Sequence, residues 1–234
     1  MTPMMSIEVF MLLGPADIVA LALLGTTWIA LGWWIERPSG TRPSVSDIMR
    51  AYRHDWMVQM IDRESRIFDQ AVVDALRQGT SFFASTCVIA IGGVLALIGN
   101  AESLQVAAAD LQRGNIPTVV WQVRMAPVAL FLTFAFLKFV WSNRLFGYCL
   151  IVMAAVPNDP GAALCRTRAR QAADLNIAAA RTLNGGLRAM YFGLASLAWL
   201  LGPLFLVLAT LGTGWIVWSR EFASRPRDIL MGGS

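Results

Sequence analysis

Lysine is almost missing from this chain: of 19 basic residues only Lys138 is a lysine, and the sequence holds one histidine, His54, and three cysteines, Cys87, Cys149 and Cys165. One histidine cannot anchor a multi-histidine site. Three cysteines without short paired spacing make neither a disulfide framework nor a zinc motif. Cys87 reads as a small apolar packing residue. There is no Gly-rich phosphate loop, no His pair with a carboxylate, and no Ser or Cys with a recognisable His partner. Asp62 and Glu64 would point to different faces of a helix, so they do not make one acid/base pair. These absences argue against an enzyme, and no cofactor or metal is implied. A basic tract is lacking too: the net charge is +4, but acids are interleaved with the arginines, which argues against nucleic acid as a partner. The first residues, "MTPMMSIEVFMLLGPAD", have no basic region ahead of the apolar one, so the first apolar segment is expected to stay as an anchor.

The most informative shortage is of charge over long stretches. Residues counted as hydrophobic make up 56% of the chain, above the roughly 45–50% of soluble domains. They are gathered into blocks, while charges collect in about 36–78 and 157–189 and at the C-terminus. Hydrocarbon explains the separation, because it penalises charged side chains while a helix satisfies its own backbone. A crossing needs about 20 mainly apolar residues, and four segments qualify, at about 16–35, 81–98, 121–141 and 190–218. Trp28, Trp33, Trp34, Trp121, Trp141, Trp215 and Trp218 lie towards their ends, as interfacial belts do. Pro203 falls inside the fourth and predicts a kink. The stretch "LFGYCLIVMAAV" (145–156) is too short to cross alone. Either the third helix projects beyond the bilayer or this stretch packs at its surface.

Between the spans, two helices are expected at about 47–78 and 160–184. In 55–77 the polar positions Asp55, Gln59, Asp62, Arg66, Asp69 and Arg77 recur every three or four residues. The opposite stripe holds Met57, Met60, Ile61, Ile67, Phe68, Ala71, Val72, Ala75 and Leu76, with Val73 the exception on the polar side. Asp62 with Arg66, and Arg66 with Asp69, are spaced to pair along such a helix. In the second helix, capped by Asn158 or Asp159 with Pro160 in its first turn, Leu164, Ala172, Leu175, Ala179 and Leu183 share a face. The two apolar faces are expected to bury each other or a neighbouring subunit. Arginines concentrate in both connections, so the positive-inside rule puts these helices in the cytoplasm and both termini outside it.

The segments "MIDRESRIFDQAVVDALRQGTSFFAST", "KFVWSNRLFGY", "TLNGGLRAMYFGLASLAWLLGP" and "SREFAS" occur in this order. In them the chain resembles a family of bacterial and plant membrane proteins known only as domain of unknown function 599, over Asp17 to about Ser224. The resemblance implies four helical spans and carries no reaction or ligand.

Candidate sites follow from the charges beside the spans. Lys138 either lines an ion path, pairs with Asp17 or a cytoplasmic acid, or snorkels to the headgroups. Asp17 either caps its helix or binds a cation. Arg63, Arg66 and Asp69 either form a ring at a pore mouth in a symmetric oligomer or fix helix packing. Asn143–Arg144 and Asn184–Gly185–Gly186–Leu187–Arg188 flank spans three and four, and the glycine pair reads as a hinge, an anion nest or a break before the span. Ser85, Gly92, Ala96 and Gly99 share one side of span two and suit close helix packing in lipid. The expected protein is all-α, a single polytopic domain in the bacterial inner membrane, with four transmembrane and two amphipathic cytoplasmic helices. As a homo-oligomer it would conduct ions or small solutes, with Arg63, Arg66, Asp69, Lys138, Arg144 and Arg188 at the cytoplasmic mouth. As an accessory or scaffold subunit it would instead bind other membrane proteins. In both cases the lipid bilayer is a partner.

Overall fold

The computed structural model describes residues 13–38, 41–100 and 117–232, and all regular structure among them is helical. Helix α1 spans Pro15–Glu36. Pro15 suits its first turn, and Asp17 Oδ2 accepts the Gly14 N–H at 3.1 Å. After Arg37 and Pro38 the chain turns into α2, Val45–Gln59. Ser44 joins the two: its Oγ accepts from Asp47 N–H at 3.1 Å and donates to the Ile35 carbonyl at 3.0 Å.

The expected continuous helix over 47–78 is two helices. A 3-10 turn at Met60–Asp62 and an extended Arg63 separate α2 from α3, Ile67–Gly99. Asp69 supplies the reason. It is fully buried in the first turn of α3, where it accepts from Trp56 Nε1 at 2.6 Å and pairs with Arg63. That geometry requires α2 and the turn to fold back on the start of α3. The face of α3 is corrected with it. Asp69, Val73 and Thr80 point inward, while Ile67 and Phe68 are 75% and 67% exposed. Arg66 pairs with neither Asp62 nor Asp69; its guanidinium donates to the carbonyls of Val156 and Pro157, the latter at 2.8 Å.

Helix α4, Thr118–Ala154, and α5, Cys165–Ser196, form a long antiparallel hairpin. Ser142 Oγ donates to the Ala179 carbonyl at 2.8 Å and Cys149 Sγ lies 3.3 Å from that of Ala172. At 1.5 Å per residue, α3 and α4 are roughly 50 and 55 Å long, against a hydrocarbon layer of about 30 Å. The third helix therefore projects. Its extension, with α2, the start of α3 and the first half of α5, builds a layer around buried Met57, Met60, Val73, Phe146, Cys149, Cys165 and Ala172. Helix α5 runs without interruption through Gly185–Gly186, so the expected break or hinge there is absent. Gly186 serves packing: a Cβ would lie 2.7 Å from the Phe139 ring.

The segment read as one kinked span at 190–218 is a reversal. α5 gives way to a 3-10 turn at Leu197–Leu201, Gly202 adopts φ 122°, and Pro203 opens α6, Pro203–Phe222. Positive φ favours glycine here, since it lacks a Cβ to clash. The contacts fix the directions. Trp199 meets Asp17, Arg188 meets Glu36, Gly214 lies against Thr27 and Leu31, and Val217 and Phe222 pack with Ile35. Thus α5 is antiparallel to α1 and α6 is parallel to it. Short α7, Arg225–Leu230, returns to the start of α2, where Arg227 Nε donates to the Pro43 carbonyl at 3.0 Å. Helices α1, α3 and α4, and the stretch Pro203–Leu230, are long and apolar enough to cross a membrane. The end of α5, residues 183–201, runs beside them as a fifth segment. The beginning of α1 and the end of α6 accordingly lie at opposite ends of the bundle, not at the same one as the sequence suggested.

Two outcomes test this arrangement. With the native cysteines buried, Cys introduced at Asp159 and at Asp228 should react with an impermeant maleimide from the same side of sealed vesicles, and Cys at Gly14 from the other. Gly186→Leu, which forces methylenes onto the buried Phe139 ring, should lower stability by about 1–3 kcal/mol. Gly185→Ala, whose Cβ meets only Arg188 Nη2 at 3.8 Å, should raise or preserve the melting temperature in detergent.

Candidate functional site

Three helices, α1, α4 and α5, share a seam with charges at both ends. At one end Glu36, the last residue of α1, bridges two arginines of α5: Arg181 Nε at 2.7 Å from Oε2, and Arg188 on Oε1. Positions 181 and 188 are two turns apart on one helix face, so a single carboxylate reaches both. Arg188 is buried to 7% exposure, which makes Glu36 its counter-ion in a region with little water. Lys138 of α4 lines a cleft of about 130 Å³ with Glu36, Arg188, Gly32, Trp28 and Phe134. Its Nζ lies 5.3 Å from the Phe134 ring centre, within cation–π range.

The same end opens into a second cleft of about 340 Å³ between α1, α2 and α5. Arg50, Arg53, Arg181 and Arg188 line it together with Glu36 and Glu221. Glu221, in the last turn of α6, accepts from the Ser46 N–H at 3.0 Å and from its hydroxyl at 2.9 Å, both at the start of α2. Arg53 donates to Asn176 Oδ1, and burial lowers its pKa from the ordinary arginine value.

At the far end of the seam Asp17 is buried. Its Oδ1 accepts from Trp199 Nε1 at 2.6 Å and lies 3.8 Å from Arg124 Nη2. Arg124 is 8% exposed and sits 6.0 Å from the Trp199 ring centre. Its Nε, and Trp121 Nε1 one turn earlier, are buried with no hydrogen-bond partner among the described residues. Between the two ends the seam is apolar. Trp28 meets Phe131 and Phe134 edge-on at 5.2 and 5.1 Å, and Leu24, Phe192 and Leu206 are fully or almost fully buried around it.

The residues singled out in the sequence do not converge on one mouth. Lys138 and Arg188 belong to the Glu36 clefts. Arg63 and Asp69 are a local pair, and Arg66 holds the carbonyls of Val156 and Pro157, just past the end of α4. Arg144 is spent on its own helix, donating to the Tyr148 hydroxyl at 2.8 Å beside the Trp141 ring. Ser85, Gly92, Ala96 and Gly99 are exposed, on the side of α3 turned away from α4. Among the described residues they pack against no other helix. Trp121, expected at an interface, is buried. Sequence reasoning missed Glu36 and Arg124 as site residues. The only signal was an acid directly ending one apolar run and an arginine standing inside another.

Removing the Asp69 carboxylate tests the local-pair assignment. Asp69→Ala strands the Trp56 indole and Arg63 and should cost about 1.5–3 kcal/mol. Arg144→Ala should leave the unfolding free energy within about 0.5 kcal/mol of wild type.

The family profile described as "Protein of unknown function, DUF599" matches residues 19–226. No curated protein and no solved structure matches the chain. The match runs from Val19 in α1 to the start of α7 and so takes in both charged ends except Asp17; the chain belongs to the DUF599 family of proteins of unknown function.

Proposed function

We propose that this protein is a channel- or transporter-type protein of the bacterial inner membrane, passing ions or small solutes along the α1–α4–α5 seam. The observation that carries the reading is a pair of charge clusters, Glu36–Arg188–Lys138, in which Arg188 is buried, and the buried Asp17–Arg124, at opposite ends of one seam with an aromatic plug at Trp28 between them. Ionisable groups inside a membrane are costly and mark solute and ion paths, and an apolar constriction is a familiar gate. With Trp28 packed on Phe131 and Phe134 the path is shut. Opening requires that ring to leave the seam. The Glu36 end faces the cytoplasm: it gathers Arg220, Arg225 and Arg227 with the arginines of α2, α3 and α5, and among the described basic residues only Arg124 lies at the other end, in keeping with the positive-inside rule.

Flux decides it. In proteoliposomes with potassium chloride gradients, a potential-sensitive dye should report flux above protein-free vesicles. Lys138→Ala and Asp17→Asn should lower it at least fivefold at equal incorporation, Trp28→Ala should raise it, and Arg144→Ala should do neither. Flux equal to that of empty vesicles, or insensitive to all of these changes, removes the proposal.

A second reading, that of an assembly subunit, is supported by the outward face of α3. Ser85, Gly92, Ala96 and Gly99 leave it smooth enough for close helix approach, and below it Ile67, Phe68 and Ile151 are largely exposed. Native mass spectrometry from the source membrane separates the possibilities. Multiples of 25.6 kDa support a homo-oligomer, and additional polypeptides support an accessory role.

A further inference from the structure

The 340 Å³ cleft between α1, α2 and α5 has a chemistry of its own, separate from conduction. Four guanidinium groups, Arg50, Arg53, Arg181 and Arg188, face two carboxylates, Glu36 and Glu221. The lining therefore carries a surplus of positive charge. The N-terminus of α2 opens into the same space and adds the positive end of a helix dipole. Both glutamates already show how the cleft treats an oxyanion. Glu36 is shared between the forks of Arg181 and Arg188, and Glu221 takes the backbone N–H and hydroxyl of Ser46. Arginine forks match the spacing of carboxylate and phosphate oxygens in a way that a lysine point charge does not. The Arg181 side chain is 57% exposed and that of Arg50 is 35% exposed, the latter 3.3 Å from Asp47. Ion pairs with a guanidinium that exposed are weak, and these groups can turn to an incoming anion while Glu36 keeps Arg188 and Asp47 stays in the first turn of α2. The volume is at the small end of ligand pockets, which run from about 300 to 1,000 Å³, enough for a phosphate monoester or a phosphoglycerol headgroup.

We infer that this cleft is a binding site for a phosphate-type oxyanion, held by Arg50 and Arg181 at its rim with Arg53 and Arg188 deeper in. The anion comes either from solution or from a phospholipid headgroup at the membrane boundary marked by Glu36.

The test uses the full-length protein in phosphatidylcholine nanodiscs. Inorganic phosphate is titrated calorimetrically, and in parallel phosphatidylglycerol is added and retained adducts are counted by native mass spectrometry. Saturable phosphate binding weakened at least tenfold by both Arg50→Gln and Arg181→Gln, with Arg144→Gln unchanged, establishes the site for a soluble anion. Phosphatidylglycerol adducts lost in the same two variants, without binding of free phosphate, establish it for a headgroup. Binding of neither probe, or binding that both variants leave unchanged, overturns the inference. Both substitutions are at partly exposed side chains, and an unaltered melting temperature shows that each variant is folded. Because binding is read without flux, a protein that binds but does not conduct would sink the transport proposal and leave this site standing.

Discussion

The carboxylate of Glu36 holds the charged end of the bundle together. A guanidinium as buried as that of Arg188 needs a counter-charge, and breaking a buried pair by removing one partner costs several kcal/mol. Glu36 meets that need from the end of α1 and draws Arg181 in as well. This sets the height of α5 against α1. The rest follows from it: Gly186 comes under Phe139, Trp199 comes level with Asp17, and the chain must reverse at Gly202. The Ser44 hydroxyl then anchors α2 to the same end of α1, and Glu221 anchors α6 to α2. One charge pair therefore ties α1 and α5 directly and positions α2 and α6.

Much of this was legible in the residues. The all-α polytopic character and the family followed from block hydropathy and ordered motifs. Direction was not legible. Hydropathy is a scalar, so "SLAWLLGPLFLVL" reads the same whether its Gly–Pro bends one helix or turns the chain back. Treating it as a bend put the three C-terminal arginines at the sparsely charged end, which made the basic asymmetry look weaker than it is. The register of α3 was lost for a related reason. Periodicity assigns apolar residues to the interior, but Asp69 and Thr80 are buried with partners, and their burial turns Val73 in and Ile67 out. In a polar layer that packs through hydrogen bonds, the stripe of lowest hydropathy is not a guide to the outside.

The candidate site was harder to see than the fold because its members come from distant parts of the chain. Glu36 and Arg188 are 152 residues apart, and Asp17 and Trp199 are 182 apart. Neither pair has a spacing motif. Charges near a span invite local pairing by i, i+4 logic, and that logic joined Arg66 to its neighbours. In the fold Arg66 spans 90 residues to reach the Val156 carbonyl. The carbonyls of Val156 and Pro157 follow the end of α4, and a helix that projects out of the bilayer delivers them where an arginine can reach.

The reversal at Gly202 also bears on how the protein is made. Residues 183–201 carry Arg188 into the bundle, and a guanidinium buried there is costly until its counter-charge is in place. Its partner, Glu36, is synthesised about 150 residues earlier. The C-terminal half of α5 is thus charge-compensated only once it lies beside α1. The reversal then brings α6 onto α1, so α1 acquires its packing partners only after much later parts of the chain have been made.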